Sequence, residues 1–262
     1  MKMHISTITP VHVGSGAEYG RPEFYLAASK GKNVIVKADI SRLFMMLSEE
    51  MKDEFIIQLE DPQFNLQSFL KQIMSQFPPG GLGTIRLYFS YLESKLPDNI
   101  SEHIKTSYKA YIPGTSIKGS IKSALLYDMI EGNDLDQLEN LIRRGRNGKP
   151  EIKKWDSQNF IDDFFSSDHR KRPNTSIMRF IQVTDTSPVN RMTIYSMNSV
   201  KANQNSWIWY RHSEDMGKTY IETIGKNQKM EFDLNLNQTD KIIQELNLEY
   251  KGDYLSMDRI LE

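Results

Sequence analysis

Cysteine is absent from the 262-residue sequence. Its absence excludes disulfide bonds, thiolate zinc sites and cysteine nucleophiles, and it is typical of a protein in a reducing cytosol. Long hydrophobic runs are missing too. No segment approaches the roughly 18 apolar residues of a membrane span, and residues 1–13 alternate too much for the core of a signal peptide. We therefore expect a cytoplasmic protein with no membrane partner.

A net excess of charge of either sign is also missing. The 33 Lys and Arg residues balance 34 Asp and Glu residues, which leaves a net charge of −1. Proteins that coat nucleic acid are often basic, so any RNA or DNA site in this chain must be a local cluster of cations. The five histidines are scattered without carboxylates at ligand spacing, so we expect no metal site and no cofactor.

Hydrophobic periodicity predicts a mixture of strands and helices. Strands are predicted at residues 3–13, 33–38, 84–92, 218–224 and 229–236, and helices at residues 39–59, 116–131 and 238–250. The segments 177–185 and 192–200 flank a turn and are predicted to form a β-hairpin. Glycines predict a loop at 14–20, and the polar segment 132–176 predicts a long insertion. This order favours an α+β fold, with helices on one face of an antiparallel sheet.

The segment YIPGTSIKGSIKSALL, residues 111–126, predicts a turn followed by the start of a helix. Pro113 and Gly114 make the turn, and Thr115 or Ser116 is predicted to cap the helix. Apolar residues recur at helical spacing and predict one buried stripe. The stripe comprises Ile117, Ile121, Ala124, Leu125 and Met129.

Three residues near the start of this helix oppose its stability. Lys118 and Lys122 repel each other and the positive end of the helix dipole, by a few tenths of a kcal/mol each. Gly119 costs about 1 kcal/mol relative to alanine. A bound phosphate would offset these costs, because backbone N–H groups, hydroxyls and two ammonium groups would converge on it. The predicted phosphate site comprises Gly114, Thr115, Ser116, Lys118, Gly119 and Lys122.

The residues of this segment leave one alternative open and exclude another. In the open alternative, the lysines solvate a surface helix and Gly119 packs against a neighbour. The excluded alternative is a nucleotide-binding P-loop. Gly114 and Gly119 have the glycine spacing of that loop, but Ser120 and Ile121 stand where lysine and a hydroxyl residue are required.

Two further segments are candidate phosphate contacts. Gly14, Ser15 and Gly16 predict an amide nest that holds a phosphate, with a plain turn after the first strand as the alternative. A cation-rich segment at 141–154 suits contact with an RNA backbone, with a solvated charged loop as the alternative. Its candidate contacts are Arg143, Arg144 and Arg146.

No residue is assigned a catalytic role. His12 alternates with Val11 and Val13 and is interpreted as a structural histidine rather than a base. Asp185 is followed by Thr-Ser-Pro and is interpreted as an Asx turn rather than a catalyst.

Three segments, in this order, resemble a known family. TPVHVGSG at 9–16, YIPGTSIKGSIKSAL at 111–125 and RFIQVTDTSPV at 179–189 resemble the RAMP-superfamily Csm subunit. That subunit caps one end of the backbone filament in type III-A CRISPR effector complexes, on the 3′ side of the guide RNA. The family has serines at three positions where this chain has Thr115, Thr184 and Thr186. These replacements keep the hydroxyl groups.

The resemblance implies a fold and a function. It implies tandem ferredoxin-like (RRM-like) RAMP modules, the first over residues 1–195 with the charged insertion at 132–176. The second, over 196–262, is partial, because the family usually continues further. It implies antiviral interference through binding of CRISPR guide RNA, docking on sibling Csm subunits, and help in guide RNA maturation by recruiting host nucleases.

The same resemblance leaves two alternative functions open. One is a RAMP endoribonuclease that processes the guide RNA precursor, for which His12 is the candidate base. The other is a RAMP subunit of the related Cmr complex, which differs in its partners.

Overall fold

The computed structural model describes residues 1–74, 81–93, 95–130, 132–144, 150–151, 154–166, 176–203, 206–209 and 218–237. Strands and helices alternate in mixed order along the chain. The predicted α+β class is therefore confirmed.

The strands and helices have the following bounds. The strands are β1 (Lys2–Ser6), β2 (Gly14–Gly20), β3 (Phe24–Ser29), β4 (Lys32–Ala38), β5 (Arg86–Leu92), β6 (Asn99–His103), β7 (Lys105–Thr106), β8 (Lys109–Ala110), β9 (Arg143–Arg144), β10 (Pro150–Glu151), β11 (Ile181–Val183), β12 (Met192–Met197), β13 (Val200–Asn203), β14 (Ser206–Trp209), β15 (Thr219–Ile224) and β16 (Lys229–Leu236). The helices are α1 (Ile40–Met46), α2 (Glu49–Leu59), α3 (Leu66–Ile73), α4 (Gly81–Thr84), α5 (Gly114–Met129), α6 (Gly132–Leu141) and α7 (Lys154–Phe165).

Contacts divide the chain into two compact units that interleave along the sequence. The helix unit comprises Met1–His4, Ile112–Thr186 and Glu231–Glu262, and the sheet unit comprises Ile5–Tyr111 and Ser187–Met230. The predicted modules at residues 1–195 and 196–262 are consecutive segments of the sequence, whereas these two units are defined by contacts. The units therefore do not test the predicted modules. The modules stay a prediction.

A seven-stranded sheet forms the centre of the sheet unit, in the order β2-β6-β15-β12-β5-β4-β3. It is mixed, because β12 runs parallel to β5 and β15 runs parallel to β6, whereas the other pairs are antiparallel. Strand β4 is apolar on both faces. Val34 and Val36 pack with helices α1, α2 and α3, and Ile35 packs with Tyr19 and Ile100 on the opposite face.

The helix unit is built around a three-stranded sheet in the order β1-β16-β11. Leu125 and Met129 of α5 and Phe165 of α7 form one buried core with Ile181 of β11 and Leu234 of β16. This core sets the orientation of α5, and with it the direction in which the other residues of that helix face.

The predicted helix at 39–59 is two helices. Asp39 caps α1 as predicted, since its side chain accepts the N–H of Arg42 at 2.9 Å. The break follows from Ser48, whose hydroxyl accepts the N–H of Met51 at 3.4 Å and so caps a second helix, α2.

Two other predictions of local structure are wrong. The predicted loop at 14–20 is strand β2, which pairs with β6. The predicted hairpin does not form, because β11 pairs with β16 whereas β12 pairs with β5 and β15. The predicted helix at 238–250 lies outside the described residues. Among the helices that the structure describes, none is long and apolar enough to cross a membrane.

Candidate nucleic-acid interface

Helix α5 begins without a side-chain cap. Pro113 is its N-cap residue, and the Pro113 carbonyl accepts the N–H groups of Ser116 at 2.9 Å and Ile117 at 3.2 Å. The prediction that Thr115 or Ser116 caps the helix is wrong, because both residues already lie in its first turn. The first N–H groups of α5 therefore need partners other than a cap side chain.

The carboxylate of Asp185 supplies one of these partners. Gly114 donates its N–H to Asp185 Oδ1 at 2.8 Å, which places negative charge at the positive end of the helix dipole. A Cβ at residue 114 would lie 2.3 Å from the carbonyl oxygen of Val183, so only glycine fits. Asp185 thus stabilises the start of α5, and its interpretation as an Asx turn rather than a catalyst stays a prediction.

Two threonines tie the Asp185 segment to its neighbours. Thr186 Oγ1 accepts the N–H of Ile112 at 3.0 Å, and the Thr186 N–H donates to the Ile112 carbonyl at 3.0 Å. Thr184 Oγ1 accepts the N–H of Asp233 at 2.9 Å. Two of the three segments that carry the family resemblance thus contact each other, and together they position the start of α5.

The two lysines of α5 have different surroundings. Lys122 Nζ lies 3.7 Å from Asp162 Oδ1 and 5.0 Å from the ring centroid of Phe165, so Lys122 joins α5 to α7. Lys118 is half-buried, and burial lowers the pKa of its ammonium group. Among the described residues, no carboxylate lies within ion-pair distance of Lys118. Its charge is therefore partly desolvated without compensation from the described part of the chain.

Gly119 stands beside Lys118 in open space. Among the residues that the structure describes, no atom lies within 4 Å of an added Cβ, so none of them supports the alternative in which Gly119 packs against a neighbour. Thr115 and Ser120 are both exposed near the start of the helix. The first turns of α5 therefore present hydroxyl groups, an accessible backbone and one uncompensated cation.

The predicted buried stripe of α5 is only partly confirmed. Leu125 and Met129 are buried in the core, and Ile117 and Ile121 are half-buried. Ala124 is exposed. The buried face is narrower than predicted, because Ala124 is exposed and Ile121 packs against the core shared with α7 only in part.

The Gly14-Ser15-Gly16 segment lies in the sheet unit, at the start of β2. Its residues are exposed, and the pairing of β2 with β6 shifts register between Gly14 and Glu18. Gly16 has φ +87°, and the Ala17 N–H donates to Ser15 Oγ at 3.2 Å. The segment is thus a bulged strand start with a left-handed glycine. The predicted phosphate contact of its amides stays a prediction.

His12 is held by a backbone carbonyl. Its Nδ1–H donates to the Glu222 carbonyl at 2.7 Å, which fixes the tautomer because a carbonyl only accepts. Its Nε2 faces Gly14, where a Cβ would lie 3.2 Å away. The interpretation of His12 as a structural histidine stays a prediction.

A buried charged cluster beneath β2 was missed by sequence reasoning. Glu222 is 0% exposed and accepts from Tyr19 Oη at 3.3 Å, from Ser90 Oγ at 2.7 Å and from Lys105. Lys105 also lies 2.9 Å from Glu102 Oε1. One signal was available: Glu222 shares a strand face with Ile224, which a period of two marks as buried.

His103 lies beside this cluster and is neutral. It is fully buried, its Nδ1 accepts the Val13 N–H at 3.1 Å, and its Nε2–H donates to the Tyr111 carbonyl at 3.0 Å. Burial lowers the pKa of His103 to about 4. The hydrogen bond to the Tyr111 carbonyl raises this pKa in part, whereas His12 and Lys105 lower it further.

The remaining candidates are only partly described. Arg143 and Arg144 form the short strand β9, which pairs with β10. Arg146 lies outside the described residues. Within the described part of the chain, no group of three or more His, Asp or Glu side chains could hold a metal ion.

Comparisons with known proteins agree on one family. A family model described as the RAMP superfamily matches residues 4–251. The CRISPR system Cms protein Csm5 of Methanocaldococcus jannaschii is 24% identical over 174 residues, which are 63% of this chain. The chain spans 40% of the length of that curated relative.

Two solved structures share the fold. Csm5 of T. onnurineus matches with a TM-score of 0.64 at 18% identity, over 94% of this chain and 70% of that chain. A chain of a Csm–crRNA–target RNA ternary complex from a type III-A CRISPR-Cas system, determined by cryo-electron microscopy, matches with a TM-score of 0.62. Its identity is also 18%, over 94% of this chain and 66% of that chain.

Proposed function

Because the chain belongs to the RAMP superfamily, we propose that it is a non-catalytic, guide-RNA-binding assembly subunit of a type III-A CRISPR antiviral interference complex. Its curated relative is named as a Csm5 protein, and one structural relative is part of a complex that contains crRNA. These names support the choice of Csm subunits and guide RNA as partners.

One observation carries the RNA-binding part of this proposal. Lys118 is half-buried with a lowered pKa, and it has no ion-pair partner among the described residues. A phosphate would supply the counter-charge that Lys118 lacks in the first turns of α5, where Asp185 already accepts the N–H of Gly114. The open space beside Gly119 leaves room for a ribose-phosphate chain at this place.

The same groups favour recognition of the RNA backbone rather than of its bases. Lys118 and the exposed hydroxyl of Thr115 suit phosphate and ribose oxygens. The start of α5 lacks a planar amide or guanidinium side chain that could read a base edge. A subunit that carries guides of many sequences needs this kind of contact.

The assembly part of the proposal is supported by an exposed apolar surface in the sheet unit. Met45 of α1 is 74% exposed, and Ile57 and Leu59 of α2 are 69% and 43% exposed. A cavity of about 450 Å³ lies between the two helices and includes Phe44 and Ile56 in its lining. Grouped apolar side chains on a surface are typical of protein–protein contacts, and sibling Csm subunits are the proposed partners.

We also propose that the subunit assists guide RNA maturation through nucleases recruited from the host rather than by cutting. The family resemblance supports this step.

Substitution of Lys118 tests the RNA site. We expect Lys118→Ala to weaken binding of single-stranded guide RNA roughly tenfold, the usual effect of losing a charge-assisted hydrogen bond. Because one phosphate contact is lost, the slope of log K against log salt should fall by about 0.7. The measurement is fluorescence anisotropy of the full chain with labelled RNA over a range of salt concentrations.

Lys71→Ala is the matched control, since Lys71 is an exposed lysine on α3 and its loss changes the net charge equally. It should leave the slope unchanged. An unchanged slope for Lys118→Ala would overturn the proposed site. Cleavage of the labelled RNA by the wild type, lost in His12→Ala, would overturn the non-catalytic assignment and favour an endoribonuclease.

A further inference from the structure

The hairpin formed by β7 and β8 has a strained turn. Its two central residues, Ser107 and Tyr108, have φ values of +49° and +63°. A two-residue turn with positive φ at both positions normally has Asn-Gly or another pair that tolerates it. A bulky residue such as tyrosine is an outlier there, and such strain is typical of functional sites.

The strained turn holds an aromatic ring at the surface. Tyr108 is 52% exposed, and its ring lies nearly parallel to that of Tyr88, with 6.0 Å between the ring centroids and 29° between the planes. Tyr88 is itself fixed from below, because Lys105 Nζ lies 4.5 Å from its ring centroid and its hydroxyl donates to Glu102 Oε1 at 3.3 Å. One face of Tyr108 is thus supported, while half of the side chain is open to solvent.

A cavity of about 270 Å³ lies beside these rings, and we call it the Tyr108 pocket. Arg86, Tyr88, Tyr108, Lys109 and Asn190 are among its lining residues. Its lining includes no carboxylate within the described part of the chain. Arg86 and Lys109 are exposed, and neither has an ion-pair partner among the described residues.

This combination fits a ligand that is flat and aromatic at one end and anionic at the other. Stacking surfaces with adjacent cations are the usual means by which proteins bind single-stranded nucleic acid. A carboxylate in the pocket would repel such a ligand, whereas the exposed amide of Asn190 offers both a donor and an acceptor to a base edge.

We propose that the Tyr108 pocket binds one nucleotide of single-stranded RNA, with its base stacked on Tyr108 and its phosphate held by Arg86 and Lys109. The choice of RNA as the ligand rests on the proposed function, but the residues of this pocket are separate from those of α5. The strained turn presents the ring before RNA arrives, so little ordering is needed on binding.

The test measures base stacking directly. Full-length protein is titrated into a short single-stranded RNA that contains one 2-aminopurine, whose fluorescence falls when the base stacks on an aromatic ring. The wild type should quench the fluorescence. Tyr108→Asn should lose the quenching and weaken binding roughly tenfold, because asparagine has no aromatic ring. Tyr108→Phe should behave like the wild type.

Asparagine is chosen so that loss of RNA binding is not confused with loss of stability. Asparagine tolerates positive φ better than tyrosine, so the melting temperature of Tyr108→Asn should equal or exceed that of the wild type. If quenching is the same in the wild type and Tyr108→Asn, the pocket does not stack a base and the inference is overturned. Displacement of the RNA by equimolar AMP would overturn RNA as the ligand in favour of a free nucleotide.

A parallel titration of Lys118→Ala distinguishes this inference from the proposed α5 site. Weaker binding by Lys118→Ala with normal binding by Tyr108→Asn overturns the inference alone. Loss of quenching in Tyr108→Asn with normal binding by Lys118→Ala supports the inference and overturns the α5 site. Normal behaviour of both variants overturns both.

Discussion

At the scale of single residues, Gly114 and Gly119 stand five positions apart in one helix for opposite reasons. Gly114 has no room for a side chain, since a Cβ would lie 2.3 Å from the backbone oxygen of Val183. Gly119 has room for a side chain, since no atom of the described residues lies within 4 Å of its added Cβ. Packing explains why residue 114 is glycine, but it does not explain why residue 119 is glycine. A ligand that approaches the backbone closely would explain it.

Alanine substitution should therefore have opposite effects on stability at these two positions. We expect Gly119→Ala to raise the free energy of unfolding by about 1 kcal/mol, because alanine costs less entropy in an exposed helix position. We expect Gly114→Ala to lower it, because the backbone must move to admit a methyl group. Urea denaturation of both variants and the wild type measures these changes.

The Gly119→Ala variant also tests the proposed RNA site at α5. Gly119→Ala should bind guide RNA more weakly than the wild type although it is more stable, because its methyl group stands where the ribose-phosphate chain is proposed to approach. A more stable variant with unchanged RNA affinity would show that Gly119 is not near the RNA.

At the scale of strands and helices, buried polar side chains connect β6 and β15 in the sheet unit. Glu222 of β15 accepts the N–H of His103 at 3.4 Å and a hydrogen bond from Lys105. His103 in turn accepts from Val13 and donates to Tyr111. Each partner is buried or half-buried, so removing one would leave an uncompensated polar group.

The neutral state of His103 predicts loss of stability in acid. Burial lowers the pKa of His103 to about 4 in the folded chain, whereas an unperturbed histidine has a pKa of about 6.5. Between these values the unfolded chain binds more protons, so the free energy of unfolding falls as the pH is lowered from about 6.5 to about 4. The loss from this residue is on the order of 3 kcal/mol.

The control for this pH dependence is His103→Gln, which keeps a donor and an acceptor but does not titrate. Urea denaturation at several pH values should show a shallower fall for the variant over this range. Equal falls in the two proteins would mean that other groups cause the acid sensitivity.

At the scale of the whole molecule, the chain combines a net charge of −1 with two candidate RNA contacts that are locally cationic. The family match runs over residues 4–251 and so includes residues of both contact units. A near-neutral protein gains little non-specific attraction to nucleic acid. We therefore expect stable RNA binding to depend on assembly with other subunits as well as on these sites.

Substitution of the apolar surface tests assembly. Met45→Glu combined with Ile56→Glu should prevent copurification of sibling Csm subunits from cells that express the complex, because two carboxylates would be buried in the contact. Both side chains are exposed in the isolated chain, so its stability should change little.

Met197→Glu is the matched control, since Met197 is an exposed methionine of strand β12, and it should leave copurification intact. Recovery of the complete complex with the double variant would show that this surface is not a subunit contact.

The sequence by itself determined the family and part of the local secondary structure. The Asp39 cap, strands β4, β5, β15 and β16 and most of helix α5 follow from periodicity and capping, which depend on residues a few positions apart. The RAMP resemblance rested on three short segments and is confirmed by the family match over residues 4–251.

Only the tertiary structure decided which strands pair and which charged side chains have a partner of opposite charge. The expected hairpin failed because β11 and β12 join different sheets. Lys118 and Lys122 look equivalent in the sequence, but only Lys122 meets Asp162. The hydrogen bond between Gly114 and Asp185 joins residues that are 71 positions apart in the sequence. Such contacts depend on how distant segments pack, and no local pattern encodes that packing.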